Sequence, residues 1–238
     1  MGYWVLKMLL TPLFRFLYRV RVEGLEHVPR QGPVIIACSH VSFCDSLFLP
    51  LVLRRRLTFV AKAEYFESRK TAWFFRAMGQ IPIKRGGGSA SMRALDSAAE
   101  VLDQGGLFGI YPEGTRSPDG RLYKGHTGVA RLSLRCQAPI IPAGMLGTQE
   151  VQPIGSLLLR PFLPVTVRFA PPLDPSRYAD RADDPMTLRQ LTDEVMFEIR
   201  ALTGQEFVPQ YAKRKDPEGI PAVETSEVLP TPTAPAPA

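Results

Sequence analysis

Apolar positions along the chain follow two alternating patterns, and together they predict a layered domain. Short apolar runs bounded by turn residues predict strands near residues 20–23, 33–38, 57–61, 80–83, 107–111, 139–143 and 164–169. Helical patterns lie between them. Ser89 or Ser91 caps a segment with Met92, Leu95, Ala98 and Leu102 on one side, ending before Gly105 and Gly106. Asp184 followed by Pro185 opens a longer helix in which Leu188, Leu191, Val195, Ile199 and Leu202 recur every three or four residues. Strands alternating with helices predict an α/β domain with a largely parallel sheet.

Residues 1–19 follow a different pattern. They are strongly apolar, but Lys7, Thr11, Arg15 and Arg19 interrupt them every fourth position. On a helix that spacing draws a narrow polar stripe and leaves a wide face of Trp4, Met8, Leu9, Leu13, Phe16 and Leu17. The interruptions are too frequent for a spanning helix, and no small-residue cleavage site marks a secretory signal. Two readings remain: a helix lying in the membrane interface with its basic residues near anionic headgroups, or a helix packed on its own domain. Pro12 is expected to kink or split it.

Composition adds a boundary and a charge. Hydrophobic residues make up 45% of the 238 and charged residues 22%, so a sizeable core is expected in one domain over 20–212. From residue 213 to 238 the chain is rich in Pro and Ala and is expected to be a disordered tail. Four acids and no Lys or Arg lie beyond residue 215, so the +6 of the whole chain becomes +10 on the rest. A basic body suits an anionic partner: a membrane, a phosphorylated substrate or nucleic acid. No aromatic-basic motif of a nucleic-acid binder is present, so nucleic acid is not expected. Cys38, Cys44 and Cys136 lack metal-type spacing, and with three histidines in all no metal site is expected.

Chemistry-capable residues collect at the ends of the predicted strands. His40 follows 33–38, Lys62 follows 57–61, Lys84 and Arg85 follow 80–83, and Glu113 and Arg116 follow 107–111. Ligands of open α/β sheets bind beyond the carboxyl ends of the strands, so these loops are expected to converge. If a helix begins near Ser42, Asp45 lies in its first turn and can reach back to His40, holding one imidazole nitrogen while the other acts as a base. The competing reading is structural, since Ser42-x-x-Asp45 is also a helix-capping pattern. Cys44 activated by His40 is a third option. In Pro112-Glu113-Gly114-Thr115-Arg116, Gly114 permits a tight turn and Arg116 offers a forked cation for a phosphate; a solvated polar turn is the alternative. Lys62, Arg85 and Lys124 would add positive potential, and His27 and His126 are read as structural or surface residues.

Four segments together resemble the glycerolipid acyltransferase family that includes 1-acylglycerol-3-phosphate acyltransferases. They are His40 to Asp45, Gly79 to Arg85, Pro112 to Arg116, and Ile140-Ile141-Pro142-Ala143-Gly144, in family order. The resemblance covers roughly residues 20–205 and departs at Ser39, where Asn often precedes the His, and at Tyr111, where Phe is usual. It implies a layered α/β/α acyltransferase fold with a mixed, largely parallel sheet. It also implies His40 as general base, Asp45 as its orienter, and Arg85, Glu113, Gly114, Thr115 and Arg116 as acceptor-binding residues, with Pro142 shaping the site; Lys62 is expected to join them through its charge. The expected substrates are a phosphorylated glycerolipid acceptor and an acyl donor on coenzyme A or acyl carrier protein. No other cofactor is expected, and the expected location is the cytoplasmic face of the cell membrane, peripheral or monotopic. Acceptor identity stays open among 1-acylglycerol 3-phosphate, glycerol 3-phosphate, another lysophospholipid and a glycolipid, as does a non-catalytic lipid-binding role.

Overall fold

The computed structural model describes residues 2–83, 87–156 and 158–213, with only the backbone of 87–89. The chain begins with α1 (Gly2–Leu17), β1 (Arg19–Glu23), β2 (Val34–Cys38), α2 (Asp45–Val52) and the short β3 (Leu57–Thr58). β4 (Val60–Lys62), α3 (Glu64–Glu67), α4 (Arg69–Ala77) and β5 (Ile81–Ile83) follow, and then α5 (Gly87–Asp103), β6 (Leu107–Ile110), β7 (Leu122–Tyr123) and α6 (Gly128–Cys136). β8 (Ile140–Leu146), α7 (Thr148–Val151), β9 (Pro164–Phe169), α8 (Pro185–Thr203) and β10 (Phe207–Val208) complete it.

Six strands form the central sheet in the order β1-β9-β8-β2-β6-β3. β8, β2, β6 and β3 are mutually parallel, β9 runs antiparallel to β8, and β1 is parallel to β9. Every residue of β2 is buried, as a strand covered on both faces requires. Its side chains alternate between two cores. Ile35 and Ala37 join α5, α6 and α8 on one face, while Val34, Ile36 and Cys38 meet Phe48 and Leu49 of α2 and Tyr18 on the other. This is the mixed, largely parallel α/β/α arrangement expected from the sequence.

The run predicted as one strand over 57–61 divides. Leu57 and Thr58 pair with β6, whereas Val60 onward pairs with β5 in a separate two-stranded sheet. Phe59 stands at the division with its ring over Gly109, where any Cβ would lie 2.2 Å from that ring. The two-residue strands β7 and β10, paired with each other, are too short for a periodicity to register. Asp184 caps α8 as expected, its carboxylate accepting from the Thr187 N–H at 2.9 Å.

α1 is one continuous helix with Pro12 inside it. Lys7 and Thr11 of its polar stripe are half-buried, while Arg15 is exposed. The Lys7 ammonium donates to the Pro50 carbonyl at 2.8 Å and to the Leu53 carbonyl, both at the C-terminal end of α2. Those carbonyls have no intrahelical partner and sit at the negative end of the helix dipole, so they draw the cation inward. Burial lowers the Lys7 pKa to about 8. Trp4, Met8, Leu9, Leu13 and Phe16 are left pointing outward. Among the described residues no helix is long and apolar enough to cross a membrane. From residue 214 onward, the expected tail lies outside the described residues.

Candidate active site

Two residues past β2, the chain turns at His40 and re-enters a helix at Asp45. Asp45 is fully buried, and one of its oxygens, Oδ2, accepts three hydrogen bonds. The donors are His40 Nδ1 at 2.9 Å and the backbone N–H groups of Val41 at 2.9 Å and Ser42 at 2.8 Å. The structure departs from the capping reading: α2 starts after Cys44 with no side-chain cap, and Ser42 Oγ bonds Gln152 instead. One carboxylate oxygen of Asp45 closes the turn before the helix and also holds the ring. With Nδ1 engaged by a carboxylate, the proton on neutral His40 belongs on Nδ1, and Nε2 keeps its lone pair. Nε2 makes no hydrogen bond to another described residue, and the His40 side chain is 15% exposed.

The remaining side chains of the turn are fixed by α7 and the residue after it. Ser42 Oγ donates to the Gln152 carbonyl at 2.9 Å, and the Cys44 N–H donates to Gln152 Oε1 at 3.1 Å. Cys44 Sγ donates to the Thr148 carbonyl at 3.4 Å. Burial pushes the Cys44 thiol up to about 12, which removes the thiolate a nucleophile needs. Cys38 is buried as well, and its thiol is pushed well above its ordinary range by the same cause. Ser39, where the family often has Asn, ties the end of β2 to β8: its N–H donates to the Ala143 carbonyl and its Oγ accepts from the Met145 N–H, each at 3.3 Å.

The loop after β6 grips His40 by its backbone. Glu113 is 1% exposed, and its Oε2 accepts from the His40 N–H at 3.3 Å while Oε1 accepts from the Tyr123 N–H at 2.8 Å. Ser117 N–H donates to the His40 carbonyl at 2.7 Å. The Glu113 carboxylate thus faces inward, away from both Arg116 and solvent. Burial raises its pKa to about 7, against the lowering influence of its two N–H donors. Gly114 makes this turn at φ +70, where a Cβ would meet the His126 ring at 3.2 Å.

Arg116, next to Ser117, is exposed and makes no ion pair with another described residue. A forked cation therefore stands one residue from the bond that holds His40. Thr115 is half-buried on the same turn. Lys62 is half-buried at the end of β4, in the small β4–β5 sheet. Arg85 lies outside the described residues, and its strand is described as far as Ile83. Pro142 is buried in β8 opposite Ala37, and its carbonyl accepts from the Ala170 N–H at 2.9 Å. Lys124 lies over the Tyr211 ring, and His126 stacks on that ring at 4.5 Å beside the Gly114 turn.

Tyr111 has a position that sequence reasoning did not assign. Its ring stacks on the His40 imidazole at 3.8 Å and 12°, and Phe59 stacks behind it at 5.2 Å and 5°. The Tyr111 hydroxyl is 2.8 Å from Ser46 Oγ, one residue past Asp45. The imidazole is thus held in its plane by Asp45 at one edge and an aromatic face behind it. The only signal in the sequence was Tyr in place of Phe immediately before Pro112.

The acyltransferase family model matches residues 19–146, more than half of the chain and every described segment of the site. The chain belongs to the acyltransferase family. It is 31% identical over 140 residues to a chloroplastic 1-acyl-sn-glycerol-3-phosphate acyltransferase of Arabidopsis thaliana, covering 58% of this chain and 39% of that protein. It is 29% identical over 167 residues to the enzyme of the same name from Limnanthes douglasii, covering 69% of this chain and 58% of that one. The chain thus spans between two fifths and three fifths of the length of these plant relatives. The crystal structure of the lysophosphatidate acyltransferase PlsC from Thermotoga maritima superposes with a TM-score of 0.65 at 26% identity, covering 79% of this chain and 73% of that one.

Proposed function

We propose that the chain transfers a fatty acyl group from acyl-CoA or acyl carrier protein to the free hydroxyl of 1-acylglycerol 3-phosphate, giving phosphatidic acid. One observation carries this reading: Asp45 holds His40 Nδ1 at 2.9 Å and leaves Nε2 without a hydrogen-bond partner among the described residues, close to the exposed Arg116 turn. The phosphate of the acceptor would sit against Arg116, Thr115 and the Gly114 backbone, with Lys62 and Arg85 adding charge. That seats its hydroxyl at His40.

Nε2 takes the hydroxyl proton as the oxygen attacks the thioester carbonyl. The carbon–sulfur bond then breaks, and the imidazolium returns the proton to the departing thiolate. Asp45 stabilises the imidazolium in between. General-base catalysis of this kind contributes about 10²–10⁴ in rate. The transfer is direct, a reading supported by the burial of Cys38 and Cys44, the two thiols nearest His40 in sequence.

The outward apolar face of α1 supports docking at a membrane surface, where the acceptor resides, with the cytoplasmic face as the proposed side. Thiol release from palmitoyl-CoA tests the activity. 1-Acylglycerol 3-phosphate is expected to support turnover well above glycerol 3-phosphate, lysophosphatidylcholine or a glycolipid. Equal turnover with the uncharged glycolipid would refute the phosphate-seated acceptor.

A further inference from the structure

Beyond its last pair with β2, β8 continues from Gly144 to Leu146 and pairs there with β9. The start of β9, and residues 152–156 and 158–163 before it, therefore project past the edge of the sheet that carries His40. This loop is fixed at both ends. Gln152 is bonded to the Ser42 and Cys44 turn, and the Phe162 N–H donates to the Leu17 carbonyl at the end of α1 at 2.6 Å. Between these ties Arg160 N–H donates to the Val151 carbonyl at 2.8 Å.

Leu159 and Leu163 of this loop pack against the core, but three other apolar side chains point outward. Ile154 is 57% exposed, Leu158 79% and Phe162 62%. Phe162 also has φ +66, a left-handed conformation that a bulky residue adopts only at a cost and only where its surroundings enforce it. The strained backbone holds an aromatic ring in water. Phe16 of α1, next to Leu17 in this bond, is 77% exposed, so each of the two joined elements carries an exposed aromatic ring beside the junction. Arg160 is the only charged residue from Gln152 to Pro164, and the exposed Arg15 and Arg19 flank the junction.

We propose that the 152–163 loop is a second lipid-inserting element, which seats beside α1 in an anionic bilayer and turns the His40 edge of the sheet toward the membrane. This rests on the membrane-docking reading of α1. Charge chooses the bilayer over a protein partner: the loop has apolar side chains, one cation and no carboxylate, which complements anionic headgroups above an acyl layer. Gln152 gives the loop a direct connection to the catalytic turn, so an acceptor moving out of the lipid would enter at His40.

The test uses the full chain and vesicles of phosphatidylcholine with phosphatidylglycerol. Phe162→Trp is expected to show a blue-shifted emission on adding vesicles and to be quenched by brominated acyl chains. A variant combining Ile154→Ser, Leu158→Ser and Phe162→Gly removes the apolar side chains and relieves the positive φ. It is expected to keep its thermal unfolding temperature and to bind vesicles roughly tenfold or more weakly. Unchanged vesicle binding by this variant, or no quenching of Phe162→Trp, overturns the proposal. If Leu9→Asp with Phe16→Asp releases the protein from vesicles while the loop variant does not, the α1 reading stands and the loop inference fails. If neither variant weakens binding, both fail. A lipid-free dimer that the loop variant abolishes would assign the face to a second copy and overturn the proposal.

Discussion

Asp45→Asn separates the charge of this residue from its geometry. In the native turn Oδ2 accepts three hydrogen bonds, while Oδ1 is buried without a partner. An asparagine that places its carbonyl oxygen at the Oδ2 position keeps all three acceptor contacts, so the His40 tautomer survives. Two things change. The amide nitrogen falls at the unpartnered Oδ1 position, where burying an unsatisfied donor costs about 1–3 kcal/mol of stability. The bond to His40 loses its charge, and the gap between charge-assisted and neutral hydrogen bonds, about 1–1.5 kcal/mol, sets the loss of imidazolium stabilisation. The expected outcome is a kcat lower by roughly 10-fold, with the KM of the phosphorylated acceptor unchanged and unfolding shifted to lower temperature. Continuous thiol release from palmitoyl-CoA measures the first two, and thermal denaturation the third. Activity within twofold of wild type would show that the Asp45 charge is not used. A large rise in KM with kcat intact would show that Asp45 serves acceptor binding.

Glu113→Gln leaves one of two backbone N–H groups without an acceptor, and it is expected to lower kcat several-fold without raising the KM of the acceptor; a KM effect alone would place Glu113 in contact with substrate. The raised Glu113 pKa also has a sign. Its proton is kept in the folded chain up to about 7 and lost from the unfolded chain near 4.5, so its contribution to stability is full below pH 4.5 and disappears as pH rises through 7. The stability difference between wild type and Glu113→Gln should therefore drift against wild type over that window, and a flat difference in pH-resolved denaturation would contradict the assignment. Tyr111→Leu removes the ring behind His40 and is expected to lower kcat about tenfold more than Tyr111→Phe, which keeps the stack and loses only the Ser46 contact; equal effects of the two would discard the stacking role. Arg116→Ala should raise the acceptor KM about tenfold or more, and an unaltered KM would move the phosphate seat elsewhere.

The parts of the fold legible in the sequence were those in which one element carries its own periodicity. α8 announced itself through Asp184, Pro185 and the Leu188-to-Leu202 repeat, and β2 through an unbroken apolar run. The partition of 57–61 between two sheets was not legible, because it depends on β6 and β5 as neighbours and on the space over Gly109. The direction of α1 was read only in part. Its stripe was visible, but the pull of the α2 carbonyls on Lys7 is a tertiary effect. Within the site, the spacing of His40 and Asp45 anticipated their contact. The inward turn of Glu113, the backbone grip of Ser117 on His40 and the stacking of Tyr111 depend on where β6 delivers its loop, and residue types alone do not encode that.

The account depends on His40 as the group that takes the acceptor proton. The most direct measurement is thiol release by folded His40→Ala, with saturating palmitoyl-CoA and 1-acylglycerol 3-phosphate. A fall in kcat of about 10²-fold or more, with the unfolding temperature preserved, is the predicted result. Turnover close to that of wild type would contradict it.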